Sequence, residues 1–469
     1  MPAANTRDIT ATSLSHRRHI AATSPTYLKD FAPSGPSAGS HTAAMTARAA
    51  PDSLTLHVDE LCRRARPAAR IVAVTSDAQR RAALHAAADA LAAAAPTILA
   101  ANAEDVQRAR TDGLASAMVD RLILNDQRLA SVIADLRAIA EQDDPVGRIL
   151  EERPIAQDVR MQKIAVPIGV VAIIFESRPN VTVDAAGLCL RAGNACILRG
   201  GKEAVASNRA LAAAFRSGLE QAGLPADAVQ LVHEQDRALI PLLLAREDAI
   251  DIVVPRGGEA LIRSVVQCSK VPVIKHDKGV CSLYVHAAAD QAMAEALIIN
   301  AKCQRPGVCN AIEHIFVDAA VATVFLPRLA QALQAQKVEI RADERALPLM
   351  PGATAATSAD WDTEYLDLIL AVKVVDDLDE AIRLTATYGS AHSDGIITAD
   401  SAAAEEYLRR VDSACVYHNA STRFTDGGQF LLGAEVGIST NRLHARGPMG
   451  VQELCTYKYV LRGEGQVRL

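Results

Sequence analysis

From about residue 55 onward the chain alternates between a helical and a strand-like hydrophobic period. "SDAQRRAALHAAADALAAAA" (76–95) is rich in Ala and Leu. It opens with a capping box, Ser76 and Gln79 three residues apart, and runs up to Pro96. Amphipathic segments continue to about residue 140. "DDPVGRILEERPIAQDVRMQKIAVPIG" (143–169) then turns extended, alternating polar and apolar between Pro and Gly, which predicts a projecting β-hairpin over 147–166. The β-branched runs "GVVAIIF" (169–175), "ACILRG" (195–200), "VQLVHE" (229–234) and "AIDIVVP" (249–255) predict parallel strands, with helices between them. A second alternating series runs from "VCSLYV" (280–285) to about residue 440. Two doubly wound α/β units follow from that order.

Composition narrows the function classes. The 469 residues leave room for two or three domains, and the formal charge of −6 gives no reason to expect a nucleic-acid or acidic-membrane partner. Aromatics make up 3%, with Trp361 alone of its kind, too few for a base-stacking platform. The longest apolar run, "IAVPIGVVAIIF" (164–175), has 12 residues and reads as one buried strand, since a membrane span needs about 20. The nine cysteines are scattered, odd in number and free of CxxC, which argues for a reducing cytoplasm and against a disulfide framework or a metal cluster. Residues 1–50 are rich in Ser, Thr, Ala and Pro and hold only two acids, Asp8 and Asp30. They read as a disordered extension, or as the product of an upstream start codon with Met45 as initiator. A transit-type targeting peptide is the alternative, and no secretory h-region is present.

Two strand ends combine glycine with cations: "LRGGKE" (198–203) and "PRGGEA" (255–260). Paired glycines let a phosphate approach the backbone, and a following helix N-terminus offers free N–H groups. Gly200, Gly201, Gly257 and Gly258, with Arg199, Lys202 and Arg256, are therefore candidate nucleotide-phosphate residues, although no GxGxxG is present. "NAKCQRPGVCN" (300–310) sets Cys303 and Cys309 six positions apart around Pro306-Gly307. The spacing excludes common zinc patterns. It leaves open a redox pair, two core thiols, or a nucleophile activated by a helix beginning near Asn310.

"VPIGVVAIIFESRPNVTVDAAGLCLRAGNACILRGGKEA", "NAKCQRPGVCNAIE", "YGSAHSDGIIT", "NASTRFTDGGQF" and "AEVGISTNRLHARGPMG" occur in this order. Through these blocks the chain resembles the γ-glutamyl phosphate reductases of the aldehyde dehydrogenase superfamily, from about residue 55 to the C-terminus. The resemblance implies an NADPH-binding domain over 51–146 and 167–278 and a catalytic domain over 279–445. It also implies an oligomerisation element over 147–166 and 446–469, hence a homo-oligomer. It puts Cys309 in the nucleophile's place, with Cys303 a packed neighbour. Asn180 becomes the oxyanion donor and Glu364 the group holding the nicotinamide ribose. Arg178, Arg423 and Arg446 become candidates for the anionic groups of L-glutamyl 5-phosphate, and glutamate 5-kinase a candidate transient partner. Aldehyde-oxidising relatives carry a water-activating glutamate about 34 residues before the cysteine, where this chain has Lys275 and His276. A reductase that guards a thioester from water has no use for that base.

Lys202 stands where NAD-preferring relatives often have glutamate, so Lys202→Glu sets a like charge against a 2′-phosphate. Titration of both cofactors should show NADPH weakened on the order of tenfold or more and NADH little changed; equal losses would make Lys202 structural.

Overall fold

A computed structural model describes residues 52–275 and 278–468; the predicted N-terminal extension, Met45 and His276 lie outside them. Five helices open this part: α1 (Ser53–Val72), α2 (Asp77–Ala93), α3 (Ala95–Thr111), α4 (Ser116–Leu122) and α5 (Asp126–Ala140). The Ser76–Gln79 capping box forms as predicted, and Pro96 falls in the first turn of α3, where its missing N–H costs nothing. A hairpin follows, β1 (Ile149–Pro154) and β2 (Arg160–Pro167).

Strands β3 (Val170–Phe175), β4 (Ala195–Arg199), β5 (Val229–Leu231) and β6 (Ile252–Arg256) form a parallel sheet in the order β5-β4-β3-β6. Helices α6 (Val181–Arg191), α7 (Val205–Gln221), α8 (Leu239–Leu244) and α9 (Glu259–Cys268) alternate with these strands. The next sheet is built from β7 (Cys281–Val285), β8 (Ile312–Asp318), β9 (Glu339–Ala342), β10 (Thr354–Ala355), β11 (Ile369–Val375), β12 (Ser393–Ile397) and β13 (Cys415–His418). It too is parallel, ordered β10-β9-β11-β8-β7-β12-β13. Helices α10 (Gln291–Cys303), α11 (Ala319–Ala335), α12 (Leu378–Tyr388) and α13 (Ser401–Arg410) pack around it. A short ladder, β14 (Ile438–Ser439) with β15 (Gly447–Pro448), precedes the last strand, β16 (Cys455–Arg462). β16 adds to β2, closing an antiparallel sheet β1-β2-β16.

The 12-residue apolar run predicted as one strand is two. Its first residues end β2 in the antiparallel sheet, and its last residues form β3, buried along its whole length. Pro167 and Gly169 break it: Gly169 holds φ +133°, and a Cβ there would collide with the Asp251 carboxylate. Asp251 is committed at this spot, its Oδ2 accepting from Val170 N at 2.8 Å and from Arg66 Nη1 at 2.6 Å.

Among the described residues no single helix is long and apolar enough to cross a membrane. Helices α2 and α7 cross so closely that a Cβ at Gly218 would meet the backbone of Ala86 and Ala87. Gly218→Ala must force the two helices apart. It should lower stability by about 1–3 kcal/mol, read as an earlier urea midpoint; an unchanged midpoint would mean that the crossing relaxes freely.

Candidate active site

Cys309 lies in a turn between α10 and β8, not at a helix N-terminus, so the helix activation expected from the sequence is absent. Side chains and backbone from distant segments hold this turn. Asn310 Nδ2 donates to Thr425 O at 2.7 Å, and Thr422 Oγ1 donates to Asn310 O at 2.7 Å. The Cys281 thiol donates to Cys309 O at 3.1 Å, and Arg121 Nη2, from α4, reaches Gly307 O at 3.4 Å. Gly279 presses from the other side. A Cβ there would overlap Cys309 O and Cα and stand 2.6 Å from Glu364 Oε1, so the Glu364 carboxylate and the Cys309 backbone both flank Gly279. Cys303 ends α10 and packs against the core of the seven-stranded sheet.

Burial pushes the Cys309 thiol up to about 12, the Glu435 and Glu364 charges add to this, and Arg256 opposes it. Arg178 is lowered to about 10, first by burial and then by the cations Arg256, Arg121 and Arg305, with Cys309 also in its field. Arg423 bonds Gln304 Oε1 at 3.0 Å and feels Arg305 and Cys309. No carboxylate ion pair to Arg178, Arg305 or Arg423 occurs among the described residues. Cys309 therefore stands between the C-terminal edge of the four-stranded sheet, which supplies Arg178 and Arg256, and the N-terminal edge of the seven-stranded one. The structure brings Arg178, Arg423 and Glu364 to Cys309. Arg446 is held elsewhere, its Nη1 2.5 Å and its Nη2 2.6 Å from Asp412 Oδ1 and O.

The Arg256 guanidinium extends toward Glu435, with Nη2 3.8 Å from Oε1. Asn180 precedes α6 and gives one amide N–H to Asp184 Oδ2 at 2.8 Å, leaving the other for a ligand. Burial pushes the Asp184 carboxyl up to about 7. Sequence reasoning missed Arg121, Arg305 and Glu435. Arg305 and Glu435 lie inside "NAKCQRPGVCN" and "AEVGIST", where a search for charge would have met them, whereas Arg121 in "MVDRLIL" carries no local signal.

Both glycine turns stand at the predicted strand-to-helix junctions. A Cβ at Gly200 would strike Asn208 and Phe175, and one at Gly201 would strike the Glu203 carboxylate. Glu203 Oε1 accepts from Ser177 N at 2.6 Å. At the second turn Gly258 N donates to Glu176 Oε2 at 3.0 Å, and the same carboxylate fills the place of a Cβ at Gly257. Arg199 is buried and donates to Gly200 O and Gln235 O, both at 3.2 Å, while Lys202 is exposed. The N-terminus of α9 thus already takes an anion, the chain's own, and Arg199 lies in the field of that Glu176 carboxylate, a donor set that fits a phosphorylated nucleotide. A cleft of about 610 Å³ lies along α9, Lys275, Lys278 and residues 388–391, and Cys309 is not among its lining residues.

A model of the aldehyde dehydrogenase family matches residues 36–360, and the chain belongs to that family of oxidoreductases, whose members use a nicotinamide cofactor. Within it the chain belongs with the γ-glutamyl phosphate reductases. It is 49% identical over 409 residues to the one from Nautilia profundicola, covering 87% of this chain and 99% of the relative. It is 49% identical over 416 residues to the one from Moorella thermoacetica, covering 89% and 100%. The crystal structure of γ-glutamyl phosphate reductase from Thermotoga maritima superimposes with a TM-score of 0.86 at 41% identity, covering 88% of this chain and 100% of that one.

A thiol held at about 12 should be slow to alkylate in the free enzyme. Because the thiolate is the reacting form, the rate of Cys309 carbamidomethylation should climb close to tenfold per pH unit from pH 7 to pH 10. A plateau below pH 8, followed by peptide mass spectrometry, would contradict this electrostatic account.

Proposed function

We propose that the protein reduces L-glutamyl 5-phosphate to L-glutamate 5-semialdehyde and phosphate through a thioester on Cys309, the second step from glutamate toward proline. The observation that carries this reading is the turn of Cys309 inside a group of arginines, of which Arg178, Arg305 and Arg423 have no carboxylate ion pair among the described residues. A dianionic acyl phosphate with an α-carboxylate needs such a surface, whereas a plain aldehyde does not.

In this mechanism Cys309 attacks the acyl carbon, the C–O bond to the phosphate breaks, and the thiol proton leaves with the departing phosphate. The Cys309 backbone N–H and the second amide N–H of Asn180 steady the oxyanion, and phosphate leaves toward the cations. Arg178 and Arg305, with Arg121 at the rim of the turn, are positioned to receive the phosphate, and Arg423 the carboxylate. Arg446, engaged with Asp412, is a weaker candidate than the sequence made it. The reading uses NADPH, for which Arg199, Lys202, Gly200 and Gly201 would hold the adenosine end, and Gly257 and Gly258 a phosphate in exchange for Glu176. When bound, it would supply the hydride that reduces the thioester. Glu364 would hold its ribose, consistent with a carboxylate packed beside Gly279 and Cys309. Arg256 would act from the reacting end, holding Glu435.

The antiparallel sheet exposes Ile149, Leu150, Tyr457, Tyr459 and Leu461, which supports a homo-oligomer formed through β1, β2 and β16. A cytoplasmic location and transient contact with glutamate 5-kinase belong to the same reading, because an acyl phosphate is short-lived in water.

The reverse reaction supplies the test. With glutamate semialdehyde and NADP⁺, steady turnover should require phosphate, and arsenate should replace it. Without either, a single burst of NADPH should appear, bounded by the number of sites. Cys309→Ala should abolish the burst and keep cofactor binding, while Cys303→Ala should retain both. Sustained phosphate-free turnover yielding free glutamate would falsify the reading, since another residue would then be activating water.

A further inference from the structure

Among the arginines around Cys309 stands Glu435, a carboxylate that the proposed chemistry does not use. The segment that carries it is stitched to the nucleophile turn: Thr422 and Thr425 bond to Asn310, and two residues further on Gly427 N donates to Glu435 Oε2 at 2.9 Å. The Glu435 side chain is 16% exposed, and its Oε1 has Arg256 Nη2 at 3.8 Å, an ion-pair distance but too long for a hydrogen bond. Among the described residues Oε1 accepts no hydrogen bond. Burial pushes the Glu435 carboxyl up and Asp426 adds to this, with Arg256 and Arg178 opposing. A surface that bound only anions would be stronger without this acid. Its half-satisfied oxygen points to a cationic group that arrives with the ligand.

γ-Glutamyl phosphate, the compound named in the relatives, has two anionic groups and one cation, the α-ammonium. Resting on the reading of the substrate given above, we propose that Glu435 receives that α-ammonium through Oε1, and so selects an α-amino acid over a simple acyl phosphate.

Ring size gives the contact a second consequence. In the Cys309 thioester the α-nitrogen and the acyl carbon are the ends of a five-atom chain. A free amine there would attack the acyl carbon: an N–C bond forms, the C–S bond breaks, a proton passes from nitrogen to sulfur, and a five-membered lactam departs from the regenerated thiol. An ammonium held on a carboxylate has no lone pair for this step. Glu435 therefore shields the thioester from the substrate's own amine.

The test compares glutamate semialdehyde with its deamino analogue 5-oxopentanoate, at saturating NADP⁺ and phosphate, on wild type, Glu435→Gln and Glu435→Asp. Wild type should prefer the amino aldehyde. Glu435→Gln should lose roughly 10- to 100-fold in kcat/KM on the amino aldehyde and less than threefold on the analogue, with Glu435→Asp between. In phosphate-free buffer Glu435→Gln should also show slow continuous NADPH formation with the lactam as product. Equal losses on both aldehydes, in a variant with unchanged melting temperature, would overturn the assignment. So would a wild type that does not discriminate between them, whether or not the variants fold. A wild type without phosphate-dependent turnover of the amino aldehyde would overturn the underlying reading, and the assignment with it.

Discussion

The turn that carries Cys309 is half-buried and irregular, and backbone groups turned away from water without a ladder must find other partners. Here the partners come from three separate stretches of chain. Arg121 serves Gly307 O, Cys281 serves Cys309 O, Thr422 serves Asn310 O, and Thr425 accepts from the Asn310 side chain. Those stretches belong to α4, to β7, and to the loop after β13, so the Cys309 turn is fixed only when these distant parts of the chain are packed together. The local geometry at Cys309 and global folding are thereby one problem in this protein.

A second tie works from below. Lys302, the penultimate residue of α10, and Glu313 on β8 are both fully buried, with Nζ 2.5 Å from Oε2. Burial pushes the Glu313 carboxyl up to about 7, and Lys302 holds it down. Such a pair adds little net stability, because desolvation offsets most of the attraction, but it specifies geometry. The remaining Glu313 oxygen accepts from Leu366 N at 3.3 Å, and Leu366 has φ +55°. The loop presenting Glu364 is therefore clamped, at the cost of backbone strain, to the two elements that flank Cys309.

Much of this was legible in the sequence, and the failures have physical causes. Helical and strand periods placed α2, β3, β4, β6 and α7 within a few residues, because each is buried on a regular face. The apolar run 164–175 misled because hydrophobicity does not say which sheet a residue enters; only Pro167 and Gly169 mark the change. Cys309 could be found through its surrounding block, but not its electrostatics, since burial and carboxylates from far along the chain determine them. Nothing local to the glycines reveals that Arg256 reaches Glu435, 179 positions away.

The carboxylate of Glu176 at the start of α9 gives that helix a resident counter-ion. An anion arriving there does not enter a vacant, water-filled site but exchanges with a tethered competitor whose local concentration is set by the length of one side chain. Affinity at that point becomes a difference between two anions at the same helix end, so the helix field largely cancels. What decides occupancy is the extra charge and the extra oxygens of the newcomer. If a cofactor phosphate is what arrives, as proposed, weak, singly charged ions of the cell would be the poorer competitors against a carboxylate that never diffuses away.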